Sequence, residues 1–174
     1  MGWEEQLSFV RDALGPKLKE TGLKTKIYAF DHNYNYDNML EQQGYPMKIY
    51  EDENAASFLT GAAYHNYGGD REELNNVNGK FPDKELIFTE TSIGMWNDGR
   101  NLEKRLMEDM EETALGTVNN WCKAVIVWNL MLDNERGPRV VARLVMVPWI
   151  SIARIIRRLP GILIIILSVI YPLW

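Results

Sequence analysis

Leu86-Ile87-Phe88-Thr89-Glu90-Thr91-Ser92 is an apolar run that turns polar within one step, and its reading decides the fold. A strand that is apolar on both faces has to be covered on both, as parallel strands under helices are. A carboxylate at the carboxyl end of such a strand stands where β/α barrels carry their chemistry, and Glu90 has that place.

Working outward, the same pattern recurs. Upstream, Gly61-Ala62-Ala63-Tyr64-His65 reads as a small-residue strand that closes in His65-Asn66-Tyr67, and Lys26-Ile27-Tyr28-Ala29-Phe30 as one that closes in Asp31-His32-Asn33. Downstream, Ala124-Val125-Ile126-Val127-Trp128 reads as a strand ending at Asn129. Helical patterns separate them. Trp3, Leu7, Val10, Leu14 and Leu18 recur at three- and four-residue steps, so 3–20 is expected as a helix that ends or kinks at Gly15-Pro16. Residues 33–53 read as loop and turn, 54–59 and 70–77 as short helices, and Phe81-Pro82-Asp83 as a turn. Leu102, Leu106, Met110, Ala114 and Val118 form the inward stripe of a longer helix capped near Asn101. Strand and helix alternate about four times, which predicts an α/β fold and half of an eight-fold barrel. A complete β/α barrel needs about 250 residues, and this chain has 174.

Composition is that of a globular domain, 46% hydrophobic and 25% charged. The net charge of −5 gives no reason to expect nucleic acid as a partner. The single Cys122 excludes an internal disulfide, and two scattered histidines, His32 and His65, do not make a metal site. The start of the chain has neither the basic nor the apolar region of a signal peptide, so no targeting signal is expected within it.

Charge is distributed unevenly. Residues 1–139 hold 15 Lys and Arg against 24 Asp and Glu, a balance of −9, whereas 140–174 hold four Arg and no acid. Residues 140–174 contain nine Ile and no Lys, Asn, Gln or Thr. The chain therefore divides into a barrel-like domain, 1–139, and an atypical Ile/Arg-rich tail, 140–174. A spanning helix needs about 20 apolar residues, and Pro148, Pro160 and Pro172 break this tail into shorter pieces. The product of a frameshifted gene end, buried structure and a membrane-associated segment all stand as readings of it.

Glycoside hydrolysis with retention uses two carboxyl groups about 5–5.5 Å apart, one attacking the anomeric carbon and the other donating the proton. Glu90 has the placement of the attacking group, although a Glu after a strand is also commonly a solvated loop residue. Its surroundings add to it. The stretch Phe81-Pro82-Asp83-Lys84-Glu85 through Ser92 resembles the nucleophile strand of glycoside hydrolase family 30, the glucosylceramidases and β-1,6-glucanases. Ala63-Tyr64-His65-Asn66-Tyr67-Gly68-Gly69 resembles another strand end of that family, and Trp128-Asn129-Leu130-Met131-Leu132 with Gly137-Pro138 a third. Phe9-Val10-Arg11-Asp12 with Leu14-Gly15-Pro16 is similar to the helix after the family's acid/base strand.

The resemblance, over roughly residues 3–138, implies a partial (β/α)8 TIM barrel, about strands five to eight. It implies that Glu90 is the catalytic nucleophile, that His65 and Tyr67 flank it and hold it by hydrogen bonds, that Trp128 walls a sugar subsite and that Asp31 lines the cleft. Read from the residues alone, His65 also suits a core histidine, Trp128 a packing residue and Tyr67 a loop cap. The implied substrate is a β-glucoside, either a glucan or a glucosylceramide-like lipid, with no cofactor and no metal. Full-length relatives are expected to be secreted or periplasmic.

The family's acid/base Glu lies in an Asn-Glu-Pro motif, and this sequence has none. Nothing in the spacing supports Asp31 or Glu51 in its place. The expectation is a fragment of a retaining β-glycosidase, inactive or nearly so as an isolated chain. Two other readings stand beside it: a non-enzymatic acidic domain anchored to a membrane through 140–174, and a half-barrel that joins another polypeptide carrying strands one to four.

Overall fold

The computed structural model describes residues 1–35, 39–91, 101–127 and 163–166. Five strands form one sheet: β1 (Tyr28–Asn33), β2 (Gly61–His65), β3 (Glu85–Glu90), β4 (Cys122–Val127) and β5 (Leu163–Ile166). They lie side by side in chain order and every pairing is parallel. Helices connect β1 to β4, as the alternating pattern predicts, and consecutive parallel neighbours are what part of a β/α barrel requires. Leu163–Ile166 falls in the Ile-rich tail and pairs with Ala124–Val127 of β4; the rest of the tail lies outside the described residues.

Register explains the core. Ala29, Ala62, Leu86 and Cys122 form one row across four strands, and Tyr64, Phe88 and Val125 the next. Both rows belong to the buried cluster that includes Tyr45, Ile49, Tyr50, Leu74 and Val77 from the helices. Burying a side chain such as Phe88 contributes about 2–3 kcal/mol, so these rows hold the strand ends in place.

The helices differ from expectation in two places. Helical hydrogen bonding does not stop at Gly15-Pro16: Trp3–Phe9 widens into a π-helical turn at Val10–Leu14 and resumes as Gly15–Thr21. The N–H of Gly15 reaches back to the carbonyl of Val10, and this wider turn accommodates a proline that would disrupt an α-helical ladder. The helix stops at Gly22, whose φ of 69° is left-handed. Secondly, the stretch read as loop, 33–53, contains a 3-10 turn at Leu40–Gln42 and a helix at Tyr45–Tyr50. Pro46 in its first turn and the burial of Tyr45, Ile49 and Tyr50 account for a helix this short.

The helix before β4 starts where expected, with Asn101 Oδ1 accepting the Lys104 N–H at 3.1 Å. It runs through Leu102–Asp109, a π-helical stretch at Met110–Leu115 and Gly116–Asn119. Ala114 is buried, and Met110 and Val118 pack against the core. Asp109, Thr113 and Thr117, each one residue ahead of that stripe, are buried as well.

Candidate active site at the carboxyl edge of the sheet

Glu90 is the last residue of β3, half-buried, and lies in register with His65, the last residue of β2. Asp31 sits at the corresponding end of β1. Three of the candidate residues therefore share one edge of the sheet.

Two irregularities shape that edge. Along β1, Phe30 pairs with Ala63 and His32 with Tyr64, so Asp31 is an extra residue. Along β3, Phe88 pairs with Tyr64 and Glu90 with His65, so Thr89 is an extra residue. A bulge of this kind re-aims the residues that follow it. Phe30 and Asp31 have φ of 77° and 56°, conformations that cost side chains of this kind about 1–2 kcal/mol each. The Phe30 N–H donates to Gln6 Oε1 at 2.8 Å, which ties the bulge to the first helix.

Asp31 Oδ1 accepts from Thr89 Oγ1 at 2.7 Å and lies 3.1 Å from Nε2 of His65. The two side chains differ sharply in access: 12% of His65 is exposed and 63% of Asp31. Hydrogen bonding from His65 first, and from Thr89 against the cost of burial, holds the Asp31 carboxyl below its usual range. An ionised carboxylate only accepts, so Nε2 carries the ring proton and Nδ1 is the acceptor of neutral His65. The hydrogen bond found for His65 runs to Asp31; one to Glu90 does not occur among the described residues.

Tyr67 lies just past β2, half exposed, its ring edge-on to His65 with centroids 6.2 Å apart. Its backbone N–H donates to Asn33 Oδ1 at 3.2 Å, and the Tyr34 N–H donates to the Gly68 carbonyl at 3.1 Å. The loops after β1 and β2 are thus laced together. Trp128, the remaining candidate, lies outside the described residues.

Thr89, His32 and Asn33 join the site although the sequence assigns them no role. The His32 and His65 rings lie edge-on, 6.2 Å between centroids. Burial pushes the His32 imidazole below its usual range. Both histidines closing strands was the available signal; the bulges that aim them have none in sequence. No group of three or more His, Cys, Asp or Glu among the described residues has the arrangement to hold a metal ion. No helix among them is long and apolar enough to cross a membrane.

Comparison with known proteins brings in relatives with this architecture. The model of the glycosyl hydrolase family 30 TIM-barrel domain matches residues 1–157. The solved endo-β1,6-glucanase BT3312 is 66% identical with a TM-score of 0.78, over 84% of this chain and 33% of that one. SrfJ from Salmonella typhimurium is 27% identical with a TM-score of 0.71, over 85% of this chain and 32% of that one. An endo-1,6-β-D-glucanase of Trichoderma harzianum is 29% identical over 141 residues, 78% of this chain and 25% of its own length. The chain thus spans a quarter to a third of the length of these relatives.

Proposed function

The chain belongs to glycosyl hydrolase family 30 through that family's TIM-barrel domain, and we propose that it supplies the attacking half of a retaining β-glycosidase site. The observation that carries this reading is the register of Glu90 with His65 at the carboxyl edge of a parallel sheet. In the proposed reaction a Glu90 oxygen attacks the anomeric carbon as the glycosidic bond breaks. A second carboxyl group protonates the departing oxygen, then deprotonates the water that releases the sugar from Glu90. His65 and Tyr67 flank the nucleophile, Asp31 lines the cleft beside them, and Trp128 forms an aromatic wall. On this reading β1 to β4 are barrel strands five to eight.

Asp31 does not suit the proton donor's role, because His65 and Thr89 stabilise its ionised form and an acid catalyst has to hold its proton. The donor belongs to a strand preceding the first helix, and without it the isolated chain is inactive or nearly so. The likeness to two endo-1,6-β-glucanases favours a β-1,6-linked glucan over a glucosylceramide-like lipid.

A substrate with a leaving group that needs no proton separates nucleophile from acid. The purified chain should be incubated with 2-deoxy-2-fluoro-β-glucosyl fluoride and digested for peptide mass spectrometry. A glycosyl adduct on Glu90, absent from Glu90→Gln, supports the reading; an adduct on another carboxylate overturns it. Hydrolysis of unactivated β-1,6-glucan by the isolated chain would refute the inactivity.

A further inference from the structure

Asp31 and Thr89 belong to strands that are not neighbours, since β2 lies between them. They touch because each is the extra residue of a bulge, and the two bulges face each other across the end of β2 at Tyr64 and His65. Side chains alternate along a strand, so one inserted residue reverses the facing of everything after it. The insertion at Thr89 therefore sets the facing of Glu90, and it also carries the Thr89 hydroxyl to 2.7 Å from Asp31 Oδ1. That hydroxyl has one proton. The carbonyl of Tyr64, at 3.4 Å, is the more distant acceptor, so the proton goes to Asp31.

We propose that Thr89 is a positioning residue of the site: its hydroxyl holds the Asp31 carboxylate against Nε2 of His65 and so fixes the ring and tautomer of His65 beside Glu90. This rests on the reading of Glu90 as nucleophile, because it gives the bulge at Thr89 two coupled effects, aiming the nucleophile and locking its neighbour. Asp31 is largely exposed, so water competes for its oxygens. Thr89 supplies a partner that the chain itself holds in place at 2.7 Å. The Gln6 contact to Phe30 does the corresponding work on the backbone of β1. Among the described residues, the ionisable groups around the His65 ring are Asp31 on β1 by hydrogen bond, His32 on β1 and Tyr67 just past β2 edge-on, and Glu90 on β3 in register.

The test reads the ring of His65 directly. The full 174-residue chain is labelled with ¹⁵N-histidine, and the Nε2–H signal and its exchange with water are compared in the native protein, Thr89→Val and Thr89→Ser. Valine keeps the shape and removes the hydroxyl, and serine keeps the hydroxyl. Expected are a protected Nε2–H in the native protein and Thr89→Ser, and exchange at least roughly tenfold faster in Thr89→Val. Thr89→Ala makes the same comparison where valine does not fit the bulge. An unchanged His65 signal in a folded variant without the hydroxyl overturns the proposal. So does loss of the signal in Thr89→Ser to the same extent, which would mark Thr89 as packing alone. Because no substrate is present, either result leaves the Glu90 assignment to its own labelling experiment.

Discussion

Tyr28 and Glu85 meet over a strand that separates them: the Tyr28 hydroxyl donates to Glu85 Oε2 at 2.6 Å, with Gly61 of β2 in register between the two. Only a residue without a side chain leaves that path open. Asp31 and Thr89 make the corresponding bridge at the carboxyl end of β2. The sheet is therefore pinned across β2 at both ends, by an ionic cluster below and by the site above. In β/α barrels the lower face serves stability, and Glu85 is read accordingly.

Glu85 also receives Lys26 at 2.8 Å and Lys123 at 3.4 Å. Hydrogen bonding from Lys26, then from Tyr28, holds its carboxyl at about 2. A carboxyl lowered by folding adds stability in full above its unfolded value of about 4.3, and loses it as pH falls toward the folded value. Both lysines are largely exposed, so water screens the pairs. Glu85→Gln is expected to cost about 1 kcal/mol at pH 7, with the difference gone near pH 2. Urea melts of both proteins at pH 7, 4 and 2.5 check this, and a difference independent of pH would refute it.

Asp109 is the opposite case. Only 6% exposed, its Oδ2 finds no hydrogen-bond partner among the described residues. Burial raises its carboxyl to about 6. The folded state then binds more protons than the unfolded state between roughly pH 4 and 6, so stability falls as pH rises through that window. Asp109→Asn should therefore stabilise the protein by about 2 kcal/mol at pH 7 and by little at pH 4. Thermal melts at the two values decide it, and equal gains at both would show that charge is not the cause.

How much of this was legible in sequence differs by element. The limits of β2, Gly61–His65, match the reading because a small-residue run bounded by polar residues is a local signal. The Asn101 cap is local too. The helix at Tyr45–Tyr50 was missed because its stability comes from burying Tyr45, Ile49 and Tyr50, and packing of that kind overrides the loop signal of the Asn and Asp residues before it and of Gly44. Pro16 misled for a related reason, since a π-helical turn absorbs what an α-helix would not. At the site, strand ends located Asp31, His65 and Glu90, but the bulges at Asp31 and Thr89 arise only from pairing between strands. No pattern within either strand announces them.

Two glycines separate rigid from yielding neighbours. A Cβ at Gly61 would lie 1.7 Å from the Glu85 carbonyl oxygen, in the backbone of β3. A Cβ at Gly15 would lie 2.2 Å from the Phe58 ring, a side chain with rotamers to explore. Gly61→Ala should then destabilise by at least about 3 kcal/mol and break the Tyr28–Glu85 bridge, while Gly15→Ala should cost about 1–3 kcal/mol. Denaturant titrations rank the two. A Gly61→Ala protein as stable as Gly15→Ala would show that the strands are free to separate.

Asn33 links the two loops that frame the site, through the 3.2 Å bond from the Tyr67 N–H to its Oδ1. The Tyr34 N–H to Gly68 carbonyl bond remains when that side chain is removed. Asn33→Ala should therefore loosen the Tyr67 loop without opening the sheet. One lost hydrogen bond corresponds to amide exchange at Tyr67 faster by about tenfold, with the Leu86 and Phe88 amides of β3 unchanged. On the proposed reading, in an active protein that includes this chain, a Tyr67 loop that contacts the sugar beside the nucleophile should raise KM about three- to tenfold and leave kcat within about twofold. A fall in kcat with KM unchanged would instead assign Tyr67 to the transition state, in direct support of Glu90.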